Sequence, residues 1–168
     1  MKMKKPENGS FSDTIDFALL LKVHLEQFGY HAFVKTTGKN GLHILTPIQP
    51  QGNISEVYTA ASGLTSSFVA AHPKIATLHV RKEARKAKSF LDIYQNRSAQ
   101  TIVSPYSLRG IAQAPVSMPL AWEGLSELKR PDELNIHTVP KILAREGDAW
   151  EALPAYAVPL QAKEENRS

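Results

Sequence analysis

Two stretches of this sequence hold residue types that could do chemistry. The first is Lys35-Thr36-Thr37-Gly38-Lys39-Asn40-Gly41-Leu42-His43, which gathers hydroxyls, glycines, lysines and a histidine at a strand junction. Glycines let backbone N–H groups approach an anion, hydroxyls donate hydrogen bonds, and lysine supplies a point charge. Such a turn suits a triphosphate. It lacks the Gly-x-x-x-x-Gly-Lys-Ser/Thr spacing of a P-loop, and an ordinary glycine-bearing hairpin tip accounts for the same residues. His43 taken alone reads as a half-buried strand residue, while His24, His31, His72, His79 and His137 have no ligand spacing.

The second stretch is Ser89-Phe90-Leu91-Asp92-Ile93-Tyr94, in which one acid stands among apolar neighbours. Such a carboxylate must be hydrogen-bonded, ion-paired or metal-bound. A salt bridge to Arg81, Lys82, Arg85, Lys86 or Lys88 is the simpler expectation, because a divalent metal would need further oxygen ligands. The basic run from Arg81 to Lys88 suits a phosphate backbone or a solvated helix face. Trp122 and Trp150 read as packing residues.

The elements that must position these groups follow from periodicity and punctuation. Ile15, Ala18, Leu19, Val23 and Leu25 predict a helix over Ser12 to Phe28, with Ser10 or Ser12 as N-cap and Gly29 as the stop. Tyr30 to Val34 and Leu42 to Thr46 predict a hairpin around the polar turn Thr36 to Gly41. A second helix is expected over Asn53 to Ala71, closed by Pro73. Short strands are expected at Ala76 to Val80 and Ser89 to Tyr94, with Thr101 to Ser104 pairing beside the latter. Beyond Pro105, prolines break the chain into short pieces before a last helix at Thr138 to Glu146. The fold class is α+β, a mixed or antiparallel sheet with flanking helices.

The 168 residues allow one domain with a core, and 42% hydrophobic with 21% charged residues is ordinary globular composition. Twenty Lys and Arg against 16 Asp and Glu give a net charge of +4, a modest bias toward polyanions. Without cysteine there are no disulfides or thiolate metal sites, which fits a reducing compartment, with cytoplasm as the expectation. Polar Pro6-Glu7-Asn8-Gly9-Ser10 follows the basic Met1 to Lys5, so no secretion signal is read. No apolar run reaches the roughly 20 residues of a membrane span.

Three segments in order sharpen the reading: Lys35 to His43, Phe90-Leu91-Asp92-Ile93-Tyr94-Gln95-Asn96, and Ser104-Pro105-Tyr106-Ser107-Leu108-Arg109 with Ala114-Pro115-Val116-Ser117-Met118-Pro119-Leu120-Ala121-Trp122. Together, from about Pro6 to Trp150, they resemble the polymerase domain of bacterial ligase D, of the archaeo-eukaryotic primase superfamily. The resemblance implies that Thr37, Gly38, Gly41 and His43 bind the incoming triphosphate, with Lys39 as a lysine shifted by one position. It implies that Asp92 is a catalytic, metal-binding carboxylate, that Arg85 and Arg109 lie around the nucleotide, and that Gln95 belongs to the active-site strand motif. It also implies manganese or magnesium as cofactor, and DNA and nucleoside triphosphates as partners.

One departure is large. The family's Asp-x-Asp-Pro, which supplies two further metal ligands, is matched here by Met3-Lys4-Lys5-Pro6, and Lys5 would oppose a cation. A larger N-terminal region of the family, which helps bind DNA ends, is also unmatched. The expectation is an incomplete primase-polymerase-like domain, its C-terminal part, over 1–158, with a charged, frayed tail at 159–168. Its function would be that of the template-dependent nucleotidyltransferase of non-homologous end joining, inactive alone or reliant on a partner that supplies the missing metal ligands, with a separately encoded N-terminal half, a ligase or an end-binding protein as expected partners. The alternative is a noncatalytic nucleotide or nucleic-acid binding module, or a truncated remnant.

Overall fold

The computed structural model describes residues 1–4, 9–50, 53–85 and 87–161, and these build a mixed sheet with helices against one face. The strands are β1 (Lys2–Lys4), β2 (Phe33–Thr36), β3 (Gly41–Leu45), β4 (Ala76–Thr77), β5 (Ser89–Asp92) and β6 (Pro119–Leu120). They lie in the order β4-β5-β1-β3-β2-β6, antiparallel except for the parallel pair β4/β5. The expected α+β class holds.

Helix α1 (Phe11–Gln27) begins at a capping box in which Ser10 Oγ accepts from the Asp13 N–H while Asp13 accepts from the Ser10 N–H. Helix α2 (Ile54–Ala71) repeats the device with Asn53 and Glu56. Ile15, Phe17, Ala18, Leu21 and Leu25 of α1 pack with Phe68 of α2 against Met3, Val34, Leu42, Ile44 and Leu91 of the sheet. Truncating a wholly buried leucine such as Leu21 or Leu25 to alanine costs about 2–5 kcal/mol. Strand residues alternate between faces, so this packing turns Lys2, Lys4, Lys35, His43 and Asp92 to the other side of the sheet. Short helix α3 (Trp122–Glu127) packs Leu125 and Trp122 into this core, and α4 (Val139–Glu146) packs on a second cluster of Val116, Met118, Leu134 and Val139.

Several elements differ from expectation. Strand β1 was hidden because Lys2-Met3-Lys4 reads as a basic terminus, yet it forms the centre of the sheet between β3 and β5. Thr101 to Ser104 form no strand, because both edges of β5 are taken by β1 and β4. Strand β2 starts at Phe33 rather than Tyr30, whose ring is buried in the core. Strand β4 stops at Thr77, and the carbonyls of His79 and Val80 accept from the Arg85 guanidinium instead of a ladder. Val158 bridges to Ile48, and the Gln161 N–H donates to Tyr30 Oη, so the chain stays docked through Gln161. Residues 162–168 of the expected tail lie outside the described residues, as does Lys5.

Candidate functional site

Antiparallel register sets five residues in one row across the face of the sheet opposite the helices: Pro119, Lys35, His43, Lys2 and Asp92 on β6, β2, β3, β1 and β5. Side chains directly opposite one another have Cβ atoms about 4.5–5.5 Å apart. Lys2 therefore stands between His43 and Asp92. Two residues along β1, Lys4 faces the same way beside Phe90 and Gly41.

Above this row opens a pocket of about 780 Å³, within the roughly 300–1,000 Å³ usual for small-molecule sites. Lys2, Lys4 and Lys39 line its floor and hairpin side, while Lys82, Arg85 and Lys88 line one wall and Arg109 another. Thr37, Gly41, His43 and Gln95 complete much of the lining, with Thr101, Ile102 and Val103 at the margin. No Asp or Glu lines it among the described residues. Of the residues the resemblance assigns to the site, Thr37, Lys39, Gly41, His43, Arg85, Gln95 and Arg109 line the pocket, and Gly38 and Asp92 do not.

The hairpin turn is fixed by its own polar groups. Thr37 Oγ1 accepts from the N–H groups of Lys39 at 3.2 Å and Gly41 at 3.3 Å, leaving the hydroxyl hydrogen available to a ligand. Gly38 has φ +65°, and a Cβ there would run into Arg109 Cγ. A Cβ at Gly41 would meet Met3 O of β1 at 2.6 Å. Both glycines thus let β1 and Arg109 close on the turn.

Arg109 is carried by the segment 105–118, which is stitched to β2. The Thr36 N–H donates to Met118 O, Thr36 Oγ1 donates to Val116 O, and Ser117 Oγ donates to Thr36 O at 2.8 Å. Ser117 Oγ also accepts from Lys35 Nζ. Lys35 is 1% exposed, and burial, then repulsion from Arg109 and Lys2, brings its ammonium down to about 8. His43 is equally buried, with no hydrogen-bond partner for Nδ1. Burial first, then Lys35, depresses its imidazole to about 3, so it is neutral at physiological pH. Trp122 and Trp150 donate their indole N–H to the carbonyls of Ala32 and Val34, packing and anchoring β2.

Asp92 makes no ion pair with the basic run among the described residues, and Lys86 is outside them. Its Oδ1 accepts from the Tyr94 N–H at 3.1 Å and its Oδ2 from Gln95 Nε2 at 3.3 Å. That bonding ends β5 and starts the 3₁₀ turn Tyr94–Asn96. Arg85 spends donors on His79 O and Val80 O and stacks 4.2 Å from the Phe90 ring centroid. Lys4 Nζ lies 5.6 Å from the same ring.

A divalent metal does not fit these residues. Among the described residues no cluster of three His, Asp or Glu could hold one. An Asp-x-Asp pair has both acids on one face of a strand; Met3, which the resemblance set at the first acid's place, is instead buried in the core, and the face of β1 turned to the pocket carries Lys2 and Lys4. Sequence reasoning missed Lys2, Lys4 and Ser117 as site residues. The Lys-Met-Lys alternation was the available signal for the first two.

Comparison with known proteins agrees with the fold. The family described as LigD, primase-polymerase domain, matches residues 5–150. The chain is 33% identical over 135 residues, 79% of its length, to the multifunctional non-homologous end joining protein LigD of Mycobacterium bovis, and covers 17% of that protein. It is 27% identical over 143 residues, 84% of its length, to the bifunctional LigD of Bacillus subtilis, covering 23% of it. The chain thus spans less than a quarter of these relatives. The polymerase domain from Mycobacterium tuberculosis ligase D, solved in complex with DNA, superposes with a TM-score of 0.83 at 28% identity over 93% of this chain and 54% of that one. This chain belongs to the LigD primase-polymerase domain family.

Proposed function

We propose that this domain binds nucleoside triphosphates and DNA phosphates as the nucleotide-holding part of an end-joining primase-polymerase, and that its own residues do not carry out nucleotidyl transfer. The observation that carries this reading is the pocket lined by seven Lys and Arg side chains and no carboxylate among the described residues. Nucleotidyl transfer of this class uses divalent ions to stabilise the attacking and leaving oxygens. The residues described supply no cage for them. Phosphate neutralisation by Lys and Arg, by contrast, needs only the charges already present.

Each side chain has a part in this reading. The Thr37 hydroxyl and the His43 imidazole donate to phosphate oxygens, Lys39 and Arg109 neutralise charge beside the turn, and Gly38 and Gly41 allow the close approach. Arg85 holds the wall above Phe90. Asp92 orients Gln95 and shapes the turn, and is not a metal ligand. The domain comprises 1–158, and DNA enters from the Lys82 to Lys88 side.

The test is equilibrium binding of a labelled nucleoside triphosphate and a primed DNA duplex. Changing His43→Ala or Arg109→Ala should weaken binding, whereas Asp92→Ala should preserve it. Equal binding by all three variants would sink the reading.

A further inference from the structure

Lys2 and Lys4 project into the pocket from the central strand, between the Asp92 strand and the His43 strand, about 7 Å apart along β1. No carboxylate among the described residues pairs with either one. Both are held rather than free: Lys4 lies over the Phe90 ring that Arg85 also stacks on, and Lys2 is flanked across the sheet by His43 and Asp92. Like charges gathered in a concave site in excess of the one acid beside them destabilise the empty protein and focus a positive potential. A bound polyanion relieves that repulsion.

We infer that the ammonium groups of Lys2 and Lys4 stand in for divalent cations, making this a metal-independent site for the free polyphosphate of a nucleoside triphosphate. The inference rests on the reading of the pocket as a nucleotide site and adds what neutralises the nucleotide. Each lysine presents three donors and one charge, and charge-assisted bonds to phosphate oxygens are the strong class of hydrogen bond. His43 and the free hydrogen of Thr37 line the same pocket from β3 and the turn and meet the same anion. Burial and mutual repulsion lower the Lys2 ammonium, with Asp92 opposing, which is the state an incoming anion corrects. Magnesium bound to the triphosphate would bring its own positive charge against Lys2 and Lys4, so the complexed ligand should bind more weakly than the free one.

The experiment is calorimetric titration of the full chain with inorganic tripolyphosphate and with ATP, each in EDTA and in excess magnesium at matched ionic strength. Binding in EDTA that weakens at least severalfold in magnesium is expected, with ATP at least as tight as tripolyphosphate. Lys2→Ala and Lys4→Ala should each weaken binding in EDTA by about tenfold, and Lys2→Arg with Lys4→Arg should restore most of it. The double change Lys2→Asp with Lys4→Asp should abolish binding in EDTA and make it require manganese. Binding that requires magnesium in the unaltered chain overturns this inference and leaves the nucleotide site standing. No binding of ATP under either condition overturns both. ATP much weaker than tripolyphosphate excludes the nucleotide as occupant.

Discussion

Replacing Lys35 with methionine should stabilise the fold while weakening polyphosphate binding. Lys35 is buried at 1% exposure, its ammonium brought from 10.5 to about 8 by burial and by repulsion from Arg109 and Lys2. The difference corresponds to about 3 kcal/mol of penalty for the charged form. Methionine removes that penalty and keeps an unbranched chain of similar reach. It forfeits the bond to Ser117 Oγ, worth about 1 kcal/mol, but Ser117 still donates to Thr36 O. The net gain should be about 2 kcal/mol at pH 7. Between pH 8 and 10.5 the unfolded chain holds the Lys35 proton more tightly than the folded one. Stability of the unaltered protein therefore climbs through that window, and the advantage of Lys35→Met vanishes by its upper end. Urea unfolding at pH 7 and pH 10.5, with slopes compared, reads both effects. Destabilisation at pH 7, or a difference that ignores pH, would refute the placement of a strained ammonium under the pocket.

Two further outcomes follow from the site. Gly38→Ala places a Cβ at φ +65° against Arg109 Cγ, so it should cost about 1–2 kcal/mol and displace Arg109; ATP binding should fall with it, whereas Gly124→Ala, where nothing lies within 4 Å of the added Cβ, should leave binding unchanged. His43, brought from 6.5 to about 3 by burial and by Lys35, with Lys2 and Arg109 adding to it, must enter the fold neutral. Stability should therefore fall as pH drops from 6.5 toward 3, by on the order of a few kcal/mol. His43→Gln should flatten that fall in urea unfolding at pH 7 and pH 4, and parallel curves for the two proteins would contradict the assignment.

Much of the frame was legible from residues alone. The 3.6-residue spacing marks α1 and α2 because periodic burial is written in neighbouring residues, and of the two caps open to α1 the structure uses Ser10, while the Asn53 cap of α2 was not read. The hairpin was legible through its glycines. Strand β1 was not, since three residues with two lysines carry no local preference and become a strand only between β3 and β5. The bonding of Asp92 was misjudged for a related reason: its partners Tyr94 and Gln95 are two and three residues away, while the basic run looked the stronger attraction. The links from Thr36 and Lys35 to Val116, Ser117 and Met118 span about eighty residues, and no pattern in one sequence announces them. Thr37, Gly41, His43, Arg85, Gln95 and Arg109, singled out before the fold was seen, do line one pocket.

The central claim is that the pocket holds a nucleotide without the means to transfer it. The most direct measurement is incorporation of a labelled ribonucleotide onto a primed template by the purified chain with manganese, beside Asp92→Ala, with ATP binding measured on the same preparations. Bound nucleotide and no template-dependent product are expected in either protein. Product formed by the unaltered chain and lost in Asp92→Ala would contradict the claim, showing that a working metal site assembles around Asp92.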